Sequence, residues 1–335
     1  MADPGKIAIR PQDVVPFIRN KDTGLEDEWW RCQRADPVVR RGITTHFQLG
    51  QKDPVGTTVE APEYTVTVEH FMHDMTAELI MAGKTPGMDT SYNLGDLLAQ
   101  DDLRINLLER GEGGQLKREY EFDDGMVAAM TWTFGVRAPS SVTSQLSAIL
   151  GKAYYYGGSM PHNAYPTDAT TSPGAILGRD ARVRFATDDA DGRAYRLQGF
   201  TIRGAYPVDT IRELGRRALV GILSRMPTVT VDFDLLSADI QPHSVFFGAV
   251  AGAMPYYDFG DPQIVDMFIR LYDPDLAEAN TVIRAWKLEN AKTGDVSPMS
   301  VNVGGLAATR YTLQLGKPDT ADSCGVICYL GDIPA

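Results

Sequence analysis

Residues 214–239, LGRRALVGILSRMPTVTVDFDLLSAD, decide the fold, because the chain carries a second version of them at residues 49–74, LGQKDPVGTTVEAPEYTVTVEHFMHD. The two align without a gap at one offset, 214 − 49 = 165. Leu49 meets Leu214, Gly50 meets Gly215, Val55-Gly56 meet Val220-Gly221, Pro62 meets Pro227, Thr65-Val66 meet Thr230-Val231, and Asp74 meets Asp239. The register continues through Arg31/Arg196, Gln33/Gln198, Thr45/Thr210 and Gly83/Gly248. Solenoid and propeller units run about 20 to 50 residues. A period of 165 is instead the size of a small domain, so the chain reads as an internal duplication.

After each proline the residues alternate, as a strand buried on one face requires. Tyr64, Val66, Val68 and His70 form the apolar face of the first copy, and Val229, Val231, Phe233 and Leu235 that of the second. The other face reads Thr65, Thr67, Glu69 and Thr230, Asp232, Asp234, polar and acidic in both. Working outward, the closing strands repeat too. MTWTFGVRAPSSVTSQL from Met130 pairs with MSVNVGGLAATRYTLQL from Met299, an offset of 299 − 130 = 169.

Between lie segments read as short helices. Asp209 is placed to cap TIRELG, with Thr44 or Thr45 opening a weaker counterpart. YNLGDLL from Tyr92 and FGDPQIVD from Phe259 each read as a helical stretch running into a strand, with Leu94, Leu97, Leu98, Leu103, Ile264, Val265, Phe268 and Leu271 as core candidates. The expected architecture is mainly β: two tandem antiparallel sandwich or barrel domains, each with a short helix. The boundaries read 1–156 with an N-terminal arm, 157–178 as a Gly/Pro/Ser/Thr-rich linker or docking arm, and 179–335. A domain of about 165 residues buries roughly 70% of its unfolded surface and stands without staples.

Net charge is −12 with pI near 4.9, which argues against gripping nucleic acid by its phosphates. The opening MADPGKIAIRPQDVV has no signal-peptide pattern, and no run of about 18 apolar residues occurs, so a soluble protein with no membrane partner is expected. Cys32, Cys324 and Cys328 make no disulfide framework, and CGVIC sits in an apolar run that favours packing over metal. Asp189-Ala190-Asp191-Gly192 reads as a hairpin turn, since an EF-hand starting at Thr187 would lack its first acid and have Gln198 where the bidentate Glu belongs. Of the histidines only His70 and His73 are close, and Leu235 and Ala238 replace them in the other copy, which favours a face-filling role. Nucleophile-elbow, P-loop and dinucleotide motifs are absent, so no catalytic, cofactor or metal residue is expected.

The sequence E-L-G, a basic pair, P-T-V-T-V-D-F-D-L-L-S-A-D, and then Y-N-L-G-D-L-L-x-x-D-D-L-R-I resembles the tail tube proteins of long-tailed bacteriophages, in particular those with two tube domains in one polypeptide. The resemblance spans roughly residues 10–150 and 175–335. It implies a virion protein, assembled in the host cytoplasm, that forms stacked rings through which DNA leaves, with the tape measure, tail terminator and distal tail proteins as partners. Three duplicated chains would complete a pseudo-hexameric ring.

Closure supports that count. Eight inner strands at about 4.8 Å spacing and about 40° tilt enclose a circle of roughly 16 Å, which side chains fill. Twenty-four give about 48 Å between backbones and on the order of 35 to 40 Å of clear bore, room for a duplex. Thr67, Glu69, Asp232 and Asp234 are the candidate lumen-facing residues, carboxylates there repelling phosphate. The linker and N-terminal arm are expected to make the stacking contacts, so deleting residues 157–178 should abolish tubes. Two alternatives remain open: the tube of a contractile injection device, and an enzyme or carbohydrate-binding module on duplicated β-domains.

Overall fold

Both proline-led stretches fold as their alternation requires. Glu63–Phe71 and Thr228–Leu236 are strands, each paired on both sides, with Val66, Val68, Val231, Phe233 and Leu235 no more than 2% exposed. The computed structural model describes residues 14–29, 32–49, 52–72, 75–110, 116–135, 138–155, 181–185, 197–213, 219–225, 227–236, 246–250, 256–272, 282–300, 308–315 and 324–334. The expected linker at 157–178, the N-terminal arm, the Asp191-Gly192 turn and His73 lie outside the described residues.

The first copy supplies β1 (Val14–Asn20), β2 (Glu26–Glu28), β3 (Cys32–Arg40), β4 (Ile43–His46), β5 (Gly56–Val59), β6 (Glu63–Phe71), α1 (Thr76–Met81), β7 (Ser91–Asn93), α2 (Leu94–Leu98), β8 (Leu103–Arg110), β9 (Leu116–Gly135) and β10 (Ala138–Tyr155). The second supplies β11 (Ala181–Phe185), β12 (Leu197–Ala205), β13 (Val208–Ile211), β14 (Gly221–Ser224), β15 (Thr228–Leu236), β16 (Phe247–Val250), β17 (Tyr256–Pro262), β18 (Ile264–Tyr272), β19 (Val282–Ser300), β20 (Ala308–Leu315) and β21 (Val326–Leu330). The fold is mainly β and antiparallel.

Eight strands run side by side in the order β3-β6-β10-β9-β12-β15-β20-β19, four from each copy. The long strands β9 and β19 leave this layer at their N-terminal ends. There β9 pairs with β8, and β19 with β18 and β21, so each copy folds a second layer over the first. Apolar side chains of both copies meet between the layers. Phe134 of β9 sits edge-on to Trp286 of β19 at 5.3 Å, and the buried cluster is continuous through both copies.

The duplication holds at the level of register. Arg34 faces Glu69 and Gly199 faces Asp234, both pairs following a bulge, at Cys32 and at Leu197, and all offsets are 165 (199 − 34, 234 − 69). Asp124 and Asn290, 166 apart (290 − 124), share the left-handed conformation, φ 51° and 54°, where each long strand bends between layers. In the closing strand Leu146 faces Val66 and Leu313 faces Val231, so the offset is 313 − 146 = 167 rather than the 169 of the sequence alignment. A shift of two conserves the in–out alternation of the closing strand, whereas the strand before it maps at 166 (295 − 129), three short of the alignment, so there the letters paired opposite faces.

Three local expectations change. TIRELG does not open a helix at Asp209: Val208–Ile211 is a strand against Gly221–Ser224, and Ile43–His46 pairs likewise with Gly56–Val59. Branched residues in both arms and an available partner outweigh a lone cap. YNLGDLL is helical, closed by a capping box in which Asn93 Oδ1 accepts from Asp96 N–H at 2.8 Å and Asn93 N–H donates to the Asp96 carboxylate at 3.0 Å. Its counterpart at the 165 offset of the sequence repeat lies in the strand Tyr256–Pro262, where Pro262 replaces Leu97 and lacks the N–H that would make the first intrahelical bond. Helical spacing therefore chose the wrong face of β18: Val265 and Leu271 are buried, but Ile264 is 63% exposed and Phe268 lies on the opposite side from Met267 and Ile269. Leu94, Leu97 and Leu103 are buried as expected.

Candidate assembly surface

One face of the eight-strand layer packs on the core, and the other is open. All four residues singled out from the sequence, Thr67, Glu69, Asp232 and Asp234, lie on the open face. Register carries the face across the layer: Glu69 is followed by Thr143, Thr131, Arg203, Thr230 and Gln314 on successive strands. A parallel row runs from Ser141 through Thr133, Thr201 and Asp232 to Thr312. The face is dominated by hydroxyls and amides rather than carboxylates.

Its acids are largely engaged. Arg310 donates to both Asp234 oxygens at 2.7 and 3.1 Å, and Thr312 donates to Asp232 at 2.6 Å. Arg34 pairs with Asp36. Hydrogen bonds to Asp234 raise the pKa of the Arg310 guanidinium above its ordinary range. Alternation points to the acids of β6 and β15 but not to the cations opposite them, Arg34 facing Glu69 and Arg310 facing Asp234, since these stand on neighbouring strands whose register no single repeat discloses.

The layer has two free edges. Inside the chain, β9 of the first copy pairs with β12 of the second, antiparallel, from Ala129↔Ala205 to Gly135↔Gly199. The counterpart of β12 is β3, which among the described residues pairs on one side only, with β6. The counterpart of the C-terminal half of β9 is that of β19, which beyond Lys292 pairs, among the described residues, only with β20. Both sides of the internal joint thus recur at the two ends of the layer, without a strand partner among the described residues.

Two hairpins project beside this layer. β4–β5 exposes Ile43, Phe47, Leu49, Val55 and Val59, with Leu49 fully in solvent, and β13–β14 exposes Ile211, Val220 and Leu223. The second hairpin is held to the first copy by Arg212, which donates to Glu60 at 2.8 Å and Glu63 at 2.9 Å.

The charged clusters elsewhere are structural. Asp102, Asp123 and Asp124 bring carboxylates together, but Lys21 Nζ sits among them at 2.5, 3.2 and 2.6 Å. Burial opposes the Lys21 charge, yet the hydrogen bonds it donates to the three aspartates hold its pKa far above the ordinary lysine value. His70 is a core residue that accepts a hydrogen bond from Trp29 Nε1 at 3.0 Å and lies 3.6 Å from Glu78. Glu78 also accepts from Tyr92 at 3.1 Å and pairs with the buried Arg284. Cys328 is fully buried, and burial pushes its thiol up to about 12, which suits packing rather than chemistry.

No helix among the described residues is long and apolar enough to cross a membrane. No protein-family profile matches this sequence, and no curated protein does.

Proposed function

We propose that this chain is the building block of a hollow tube of the kind made by the tail tube proteins of long-tailed bacteriophages, three chains closing a ring and rings stacking into the conduit for DNA. The observation that carries this reading is the internal β9·β12 joint, which links two equivalent four-strand units head to tail and, among the described residues, leaves the same two edges open at the ends. A head-to-tail contact is heterologous, so it repeats until the rotation closes. Closure also removes edges that would otherwise recruit other chains. Twenty-four strands then surround a bore of on the order of 35 to 40 Å.

The open face, with Thr67, Glu69, Asp232 and Asp234, would line that bore. Its hydroxyls and amides, with Arg310 neutralised by Asp234 and Arg34 by Asp36, leave phosphates few cations such as Arg203 to hold, which suits passage without specific binding. The apolar hairpins are a second contact surface, facing the neighbouring ring. The test is negative-stain microscopy and light scattering of the purified chain across a concentration series. Rings with a central bore and the mass of three chains are expected; a particle that stays monomeric at every concentration sinks the reading.

A further inference from the structure

We infer that the outer edge of β3 in one chain adds to the outer edge of the C-terminal half of β19 in a second copy, in the β9·β12 register, so that Arg40 faces Asp295 and Val39 faces Val296. The inference rests on the ring reading above and names the contact that would close the ring.

The register transfers residue by residue. β12 maps on β3 at 165, as their shared bulge and shared pairing to β15 and β6 require. β19 maps on β9 at 166. Thr293 and Asp295 face Leu313 and Thr312 across a bulge, as Val127 and Ala129 face Leu146 and Gln145, and both offsets are 166 (293 − 127, 295 − 129). The internal pairs Ala129↔Ala205, Met130↔Gly204 and Thr131↔Arg203 therefore become Asp295 with Arg40, Val296 with Val39, and Ser297 with Val38.

The residues that fall opposite one another are chemically matched, although the duplication alone does not demand it. Two alanines are replaced by an acid and a base, which attract when directly opposite on adjacent strands. Arg40 also faces Glu63 on its own sheet, so a chain of alternating charge would run across the seam. Val39 faces Tyr64 on the core side of the layer yet is 52% exposed, because none of the described residues covers the end of the sheet there. Its partner Val296 takes the position of Met130, which the internal joint buries completely. An unrelated extended peptide could hydrogen-bond to either edge, but only a second copy brings this sequence of partners to both.

The experiment reverses the charges in the full chain: Arg40→Asp, Asp295→Arg, and both together, with thermal unfolding of the unassembled protein as the folding control. Like charges facing each other in a seam are strongly disfavoured. Each single reversal should raise the concentration needed for rings by at least about tenfold, and the double reversal should restore it. Mixing the two single variants adds a second reading. Complementary seams then form only between unlike chains, so linear pairs should appear but closed three-chain rings should not, since an odd ring cannot alternate. Single variants that close rings as readily as the parent would overturn the seam and leave the ring reading standing. A parent chain that never forms rings, with all variants equally monomeric, would overturn both.

Discussion

Glu78 of α1 and Arg284 of β19 are 206 positions apart and form an ion pair with both side chains buried, 0% and 2% exposed. The pair ties the first copy to the second from inside the core. Tyr92 and His70 attend the glutamate, and the Arg284 guanidinium lies 4.8 Å from the Trp286 ring centre. Removing one member strands a charge in an apolar interior, which typically costs 3 to 5 kcal/mol, roughly a third of a domain's stability. Glu78→Gln should lower the denaturant midpoint accordingly, whereas Glu78→Met with Arg284→Met should cost much less, because an apolar pair needs no counter-charge. Equal losses in the single and double variants would refute the pairing.

The same carboxylate sets an acid limit. Burial alone would raise the Glu78 pKa, but the Arg284 charge, with His70, holds it below its ordinary 4.5. A group whose folded pKa is depressed contributes stability that is present above the unfolded value and lost as pH falls through the folded one. Unfolding free energy should therefore be steady above 4.5 and drop below it, and the drop should be shallower in Glu78→Gln. A variant whose acid slope matches the parent's would assign the effect to other carboxylates.

Phe200, Phe233 and Tyr311 face one another across β12, β15 and β20, with ring centres 6.0 and 5.0 Å apart and planes within 21° and 15°. Their counterparts in the first copy are Ala35, Val68 and Ser144, so the second copy concentrates its packing in this ladder. Phe233→Ala should cost about 3 to 5 kcal/mol, and Val68→Ala distinctly less. The comparison of chemical denaturation curves checks it.

Much of this was legible in the sequence because period-two alternation and a gapless repeat both survive in the letters. Val66, Val68, Val231 and Phe233 were placed on the buried face by alternation alone. Closure of two copies assumes eight inner strands, and the layer has eight, four from each copy. What failed was local: a cap at Asp209 and helical spacing at Ile264 are short-range signals, overruled by a strand partner many residues away. The edge residues Arg40 and Asp295 carried no signal of their own, since their significance appears only when the register of two joints is compared.

The β4–β5 hairpin exposes Phe47 at 66% and Leu49 entirely, side chains that an isolated protein gains nothing by presenting. Phe47→Ser with Leu49→Ser should leave the fold within about 0.5 kcal/mol of the parent, as exposed substitutions do. If the hairpin meets the neighbouring ring, the variant should accumulate single rings instead of tubes under microscopy. Tubes of ordinary length would move the stacking contact elsewhere.

The inferred seam differs from the internal joint at one further position. Trp132 faces Ile202 inside the chain, and the corresponding residues on the two free edges are Pro298, at 298 − 132 = 166, and Pro37, at 202 − 37 = 165. Proline survives in a strand where its missing N–H points away from the paired neighbour, and so leaves the outer edge short of a donor. In such a seam both edges would be blunted at facing positions, which would make it weaker than the joint and keep separate chains from adding edge to edge too early. Pro37→Ile restores the residue type of the internal joint and one donor, worth about 0.5 to 1.5 kcal/mol per seam. The concentration at which rings appear should fall up to roughly tenfold, as light scattering would show, and aggregation of the dilute protein should increase. An unchanged threshold would mean that the prolines serve the single chain alone.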